Sequence, residues 1–359
     1  MRPLQVLEAG CGRGLNLLAA AAAQPEVSFQ GIDISRVAID EAHQAALKQE
    51  LSNLRFQVAD LMQPETLPSV PGGYDLILSY GVLHHLKNPT EGLNQLSRLL
   101  SPQGAIAFMV DGRFGRQPLD RYLQALALLG DEADPEQARE VRARALARVA
   151  DRSLFRATHW QGTAETDPVE FADRCLHVHE QSFTVDELWA LLSSAGLAFL
   201  RWLEPADWQA SAVLSEPVLS EAITKLTQVD RYRLVERLCE RPKLTLIAVP
   251  DGVRSRAELT LDSVDQAVFR LNPQLKALQQ DGLSLWQLRN QSPRAAETRV
   301  AETLLKHAQG KEGGFSFGSI TEMLMQEGYL LPQVRETLIH LVTSEWLYLP
   351  HSPSRGGDA

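Results

Sequence analysis

The chain has 359 residues, 44% hydrophobic and 22% charged, with a formal net charge of −10. That length suggests two domains, the composition leaves ample material for a globular core, and the acidic balance argues against generic nucleic-acid or anionic-membrane binding. Cys11, Cys175 and Cys239 are far apart, odd in number and without a CxxC pair, which fits a reducing cytosol and gives no metal site.

No stretch approaches the roughly 18 consecutive apolar residues of a membrane span, so a soluble, cytoplasmic protein is expected. Arg2 and Arg13 ahead of LNLLAAAAA offer a secretory-signal reading. Glu8, Arg13 and Asn16 break that run, and the glycines weaken a helical core.

Along the first 110 residues, strand-like and helix-like segments alternate. QVLEAG reads as a strand and GLNLLAAAAAQ as a helix of strong helix formers. VSFQGIDI is a second strand, after which Ser35 can cap a helix running to about Leu51. LRFQVADL and YDLILSYGV are strands three and four, NPTEGLNQLSRLL a helix and GAIAFMVDG a fifth strand. Near-continuous apolar strands alternating with helices predict a parallel sheet covered on both faces, in a doubly wound α/β fold.

After Gly112, GRFGRQPLDRYLQALALLG and DPEQAREVRARALARVADR predict two helices, followed by a loop-rich stretch to about Gln181. TVDELWALLSSAGL is a helix with a Thr184/Glu187 capping-box pattern. AFLRWLEP and KLTLIAVP complete seven strands, with LSEAITKLTQ and VDRYRLVERLCE as helices between them. The expected first domain is therefore 1–250, with 112–181 as an insertion.

From Asp251 the pattern reads as helical again, in DSVDQAVFRLNPQLKAL, RAAETRVAETLLKHAQ, SITEMLMQEG and QVRETLIHLVTSEWLYLP. Helix, helix, tight turn, helix and a closing strand outline a smaller winged-helix-like domain over 251–350, and 351–359 reads as a disordered tail.

The glycine loop carries the first chemical signal. VLEAGCGRG spaces Gly10, Gly12 and Gly14 as G-x-G-x-G, tighter than a dinucleotide fingerprint, and places Glu8 just ahead of them. An acid there repels a pyrophosphate and suits a ligand bearing an ammonium group, while the glycines let the backbone approach it. Asp33, 19 residues past Gly14, can accept from both ribose hydroxyls. Asp60 ends the third strand beside the expected crevice. The plain alternative for Glu8 and Asp33 is a pair of solvated carboxylates at loop starts.

Taken together, VLEAGCGRG, GIDIS, VADL, YDLILSYGVLHHL and LLSPQGAIAF resemble the class I S-adenosylmethionine-dependent methyltransferase family over about residues 4–112. The resemblance implies a Rossmann-like sheet, S-adenosyl-L-methionine as cofactor and a cofactor loop of Glu8, Gly10, Cys11, Gly12 and Gly14. It also implies Asp33 on the ribose, Ile34 against the adenine, Asp60 and Leu61 flanking the base, and Ser79 and Tyr80 beneath the methionine moiety. Family members carry helices ahead of the first strand. Here Met1 is almost the strand itself, which implies either a start further upstream or a pocket left open on one side.

Methyl transfer from a sulfonium needs alignment and water exclusion more than a fixed catalytic residue; a base is required when the acceptor must lose a proton early. SYGVLHHL lacks the Pro-Pro-aromatic and Pro-Cys signatures of base- and amide-methylating enzymes, which favours a small-molecule acceptor. His84 is the candidate base, against a structural reading of the His84–His85 pair in which His85 begins the next helix. Arg113 and Arg116 in GRFGR could hold an anionic acceptor, or be ordinary helix-surface arginines.

DRCLHVHEQSFTV, with GVLHHL and GRFGR, resembles a little-characterised bacterial methyltransferase subgroup. His177 and His179 share a face there and fit pocket lining or a structural loop better than a metal site, for which spacing supplies two ligands only. The C-terminal module carries 11 basic against 13 acidic residues from Asp251 onward, and PQVRETLIH lacks the basic footprint of a DNA-reading helix. Dimerisation, lid support or docking of a protein substrate remain as its roles. The expected function is small-molecule methylation, with protein methylation and a catalytically silent S-adenosylmethionine-binding regulator as alternatives.

Overall fold

The computed structural model describes residues 2–128, 179–214, 219, 222–223, 225–239, 241 and 243–253, and then 264–272, 275–280, 283–288, 294–296, 298–311, 313–343 and 347–348. The expected helix over 134–152, His177, Cys175 and the tail 351–359 lie outside them, and LSEAITKLTQ is described only in part. The chain divides into two compact units, residues 1–254 and 255–359.

The first unit is built on β1 (Gln5–Ala9), β2 (Ser28–Asp33), β3 (Leu54–Val58), β4 (Tyr74–Tyr80), β5 (Leu100–Asp111), β6 (Leu197–Trp202) and β7 (Lys243–Pro250). They form one sheet in the order β3-β2-β1-β4-β5-β7-β6. β1 to β5 pair in parallel, whereas β7 runs antiparallel to both β5 and β6. The order reverses between β1 and β4, and in such sheets the crevice outside the carboxyl ends at that reversal is where ligands bind.

Both faces are covered, which explains the near-continuous apolar strands. On one face Val6, Phe29 and Phe56 pack with Leu17, Leu18 and Ile39 of α1 (Leu15–Ala23) and α2 (Arg36–Lys48). On the other, Leu7, Ile77 and Phe108 join Leu93 and Leu96 of α3 (Pro89–Leu99). Local chemistry sets the helix starts. Ser35 accepts from Ala38 N at 3.3 Å, and Asn88 accepts from Glu91 N at 3.2 Å with Pro89 at the first helical position. His85 therefore does not begin a helix: it closes a short 3₁₀ turn over Leu83–His85, because Asn88 and Pro89 impose a later start.

α4 (Arg113–Ala127) leaves from the end of β5. After the undescribed stretch the chain returns to the same strand end, where Phe183 N donates to Asp111 O at 2.8 Å and Arg113 N to Phe183 O at 2.9 Å. α5 (Val185–Ser194) then opens on the expected capping box: Glu187 N donates to Thr184 Oγ1 at 3.3 Å, and Thr184 N to Glu187 Oε2 at 2.8 Å. α6 (Ala210–Val213) and α7 (Gln228–Leu238) lie between β6 and β7.

In the second unit the expected first helix is a set of strands: β8 (Val268–Leu271), β9 (Leu275–Gln280) and β10 (Leu283–Leu288), with β11 (Arg294–Ala295) following. Leu283 faces Gln280 across the β9–β10 pair, so two residues, Asp281-Gly282, join the strands. That dipeptide is a strong hairpin signal, and Pro273 opposes a helix running through 262–278. α8 (Arg299–Gln309) starts at the Thr298 cap, later than the sequence pattern suggests, because Arg294–Ala295 is in a strand. β12 (Phe315–Ser316), α9 (Phe317–Gln326), α10 (Leu331–Thr343) and β13 (Leu347–Tyr348) follow, and β12-β8-β13 form a second small sheet. Phe269, Leu304, Ile320, Val334 and Leu338 fill its core. Arg335, the arginine of the would-be recognition helix, is held bidentately by Asp265 at 2.8 and 2.7 Å.

Candidate active site

The loop after β1 is stitched to the end of β2. Gly10 N and Cys11 N both donate to Ile32 O, at 2.8 and 3.0 Å, and Gly14 N donates to Cys11 O at 2.9 Å. Asp33 Oδ2 accepts from Gly12 N at 2.8 Å, and Oδ1 accepts from Ser35 N at 2.8 Å. The Asp33 carboxylate thus fixes both loops that border the crevice. Each oxygen has one lone-pair direction in use, which leaves acceptor capacity for a ligand hydroxyl.

The three glycines serve different ends. A Cβ on Gly10 would stand 2.1 Å from Val82, and one on Gly14 would stand 2.4 Å from the Phe56 ring. Those two are glycines because protein fills the space. This corrects the expectation that all three admit a ligand. At Gly12, with φ of +52°, a Cβ meets nothing within 4 Å among the described residues, so Gly12 borders open space there. Gly31 also lies against Phe56, at 2.6 Å; sequence reasoning passed over it, although a glycine inside a strand signals close approach.

Glu8 is 5% exposed. Its Oε1 accepts from Asn16 Nδ2 at 3.4 Å, and its buried Oε2 has no hydrogen-bond partner among the described residues. Burial holds its pKa above the ordinary carboxylate value, against the lowering effect of Asn16. Burial, followed by the Asp33 and Glu8 carboxylates, pushes the Cys11 thiol up to about 12. Ile34 is 70% exposed directly after Asp33. Leu61 and Ser79 are buried, the Ser79 Oγ without a partner among the described residues, and Tyr80 is half-buried. The Asp60 carboxylate turns into its own loop, where Oδ1 accepts from Met62 N at 2.8 Å and Oδ2 from Gln63 Nε2 at 3.2 Å. Asp60 N donates to Thr66 Oγ1 at 3.0 Å and its carbonyl accepts from Gln63 N at 2.9 Å, so each carboxylate oxygen, with one bond in use, is what keeps acceptor capacity here.

The β4–β5 side is charged and closed. His84 is 3% exposed, with Nε2 lying 3.6 Å from Asp111 Oδ2. Arg116 is buried beside it and donates to Asp111 and Glu180. Arg113 donates to Ser182 O at 2.9 Å and pairs with Glu187 at 2.7 Å. Arg116 is thus buried among Asp111, Asp120 and Glu180, whereas Arg113, paired with Glu187, keeps about half of its side chain exposed. His179 is exposed. Among the described residues no cluster of three metal-ligating side chains occurs, and no helix is long and apolar enough to cross a membrane.

Gly12 bordering open space, a partnerless buried carboxylate oxygen and an exposed aliphatic side chain beyond the ribose-position acid fit a nucleoside ligand that carries an ammonium group. Residues 2–117 match the family described as "Methyltransferase domain". An uncharacterized protein of Synechococcus is 29% identical over 65% of this chain and 57% of its own length. The 27-O-demethylrifamycin SV methyltransferase of Amycolatopsis mediterranei is 30% identical over 38% of this chain and 45% of its own. The chain thus spans about half the length of these curated relatives. The solved structure of PKMT2 from Rickettsia typhi in complex with AdoHcy superposes with a TM-score of 0.60 at 15% identity, covering 97% of this chain and 71% of that one, a likeness of fold. Residues 2–117 thus carry the methyltransferase-domain match, and the sheet order and motif set are those of class I S-adenosylmethionine-dependent methyltransferases, a family whose cofactor is S-adenosylmethionine.

Proposed function

We propose that the chain binds S-adenosylmethionine over the carboxyl ends of β1, β2 and β4 and methylates an acceptor on the β4–β5 side. The observation that carries this reading is the pairing of Gly12, bordering open space, with the partnerless buried Glu8 oxygen beneath the same loop. When bound, the cofactor would supply an electrophilic methyl on its sulfonium for transfer to an acceptor that gives up a proton.

The chain's part is to bind and align. Glu8 takes the ammonium, exchanging an unpaired buried carboxylate for a charge-assisted pair. Asp33 holds the Gly12 and Ser35 amides and accepts from the ribose. Ile34 covers one face of the adenine, with Leu61 and the Asp60 carboxylate at its edge. Ser79 and Tyr80 form the floor, and Cys11, a neutral thiol, packs without reacting. His84, oriented by Asp111, is the group placed to receive a proton from the acceptor.

The acceptor favoured is a small molecule, as in the Amycolatopsis relative. Arg116 does not support an anionic one, since it is spent on protein carboxylates. A protein acceptor is the second reading, since a protein methyltransferase stands among the proteins of similar fold.

Calorimetry with S-adenosylhomocysteine tests the cofactor site. Micromolar or tighter binding is expected, weakened by about 1–3 kcal/mol in Asp33→Ala; a wild-type chain that takes up none overturns the reading. Radiolabelled methyl appearing in solvent-extractable material rather than on precipitated protein decides between the acceptors.

A further inference from the structure

One buried guanidinium sits among three carboxylates at the end of β5, and cofactor binding does not account for it. Arg116 is 7% exposed; it donates to Asp111 and to Glu180, and its Nε lies 3.3 Å from Asp120 Oδ1. These partners come from the strand end, from α4 one turn on, and from the return segment 64 residues later in sequence. The Asp111 oxygen that Arg116 holds, Oδ2, is the one 3.6 Å from His84 Nε2. Next to Glu180, Gln181 N donates to the backbone carbonyl of His84 at 3.0 Å. Both the ring and the main chain of His84 are thus fixed by groups that Arg116 orients.

We propose that Arg116 is a positioning residue for the acceptor side of the site, clamping Asp111 and Glu180 so that the His84 imidazole is held in orientation and protonation state. Arginine suits this role because it stays charged and its planar fork reaches several carboxylates at fixed angles. The guanidinium offsets the carboxylate charge that faces the imidazole through Asp111, which keeps His84 able to accept a proton. Among the described residues Asp111 on β5 and His85 in its own turn, ring centroids 4.0 Å apart, lie against His84, and Arg116 on α4 links Asp111 to Asp120 and to Glu180 on the return segment. Taking the guanidinium away removes the cation and unpairs the carboxylates, so the imidazolium becomes easier to form.

The clamp rests on the functional reading only for its purpose, and its test needs no acceptor. In the full chain carrying labelled histidine, with the His84 signal assigned through His84→Gln, NMR titration follows the imidazole of wild type, Arg116→Lys and Arg116→Met. The Met variant is expected to raise the His84 pKa by about one or more, and the Lys variant, which keeps the charge, to leave it near wild type. Amide hydrogen exchange at Gln181 and Phe183 is expected to quicken about tenfold in both variants, since neither keeps the fork. An unmoved His84 titration in the Met variant, or unchanged exchange at both amides in the Lys variant, overturns the proposal. The Lys arm decides alone if the Met variant does not fold. S-adenosylhomocysteine calorimetry on the same wild-type sample keeps the two readings apart: no binding there sinks the cofactor site and leaves the clamp standing.

Discussion

On the β1–β2 side of the crevice, Glu8, the glycine loop and Asp33 shape the site within the first 35 residues, largely through main-chain amides held by one carboxylate. On the β5 side, Asp111, Arg116, Asp120 and Glu180 do so through side chains drawn from three separate elements. The first side borders open space at Gly12 and leaves a carboxylate oxygen unpaired, as a surface awaiting a charged ligand must. The second is already neutralised from within, with its arginines paired with protein acids. The difference teaches where ligand binding energy can come from: polar groups left unsatisfied by the fold are available to a ligand, and groups already paired supply rigidity instead.

The largest effect that can break this comparison falls on the β5 side. Arg116→Met leaves Asp111 and Glu180 buried without their cation, and removing one partner of a buried ion pair costs about 3–5 kcal/mol. Urea unfolding should show that loss in the first unit. A loss below about 1 kcal/mol would mean that water already screens the cluster and that the two sides are not built differently.

Gly12→Val strikes the opposite side. The residue sits at φ of +52° facing open space, so a branched side chain meets about 1–3 kcal/mol of backbone strain and projects where the ligand would pass. S-adenosylhomocysteine affinity should fall about 100-fold or more, with the His84 titration unmoved. Wild-type affinity in this variant would place the ligand elsewhere.

A smaller, pH-gated effect belongs to Glu8. Burial raises its pKa above 4.5 in the folded chain, so between 4.5 and that raised value the folded state binds more protons than the unfolded one. Stability of the ligand-free chain therefore falls as pH rises through that window. The ammonium of a ligand needs the ionised form, so affinity rises over the same interval. Glu8→Gln should flatten both curves in paired thermal-melt and calorimetric series. A wild-type melting profile flat across the window would show that Glu8 keeps an ordinary pKa.

The first side was legible in sequence because its determinants are local: strand ends, glycine spacing and acids at fixed offsets. Even there, only coordinates separate Gly12 from Gly10 and Gly14, since Val82 and Phe56 reach those positions through tertiary packing. The partners of Arg113 and Arg116 escaped the sequence for the converse reason. Glu187 and Glu180 follow a long insertion, and no spacing rule links them to the arginines. The 262–278 misreading was avoidable, as Asp281-Gly282 and Pro273 both spoke for strands. The Thr184 capping box was found because its chemistry lies within four residues.

That capping box supplies the finest test of the contrast. Thr184→Ala removes the acceptor for Glu187 N and should cost about 1 kcal/mol. Glu187 also pairs with Arg113 at the start of α4, so freeing it loosens the junction where the insertion leaves and the return segment rejoins. Amide exchange in the first turn of α5 and at Phe183 should quicken together, while S-adenosylhomocysteine affinity stays within about twofold of wild type. Coupled loss of affinity would mean that the β5 side transmits strain across the sheet to the glycine loop, and that the two sides act as one.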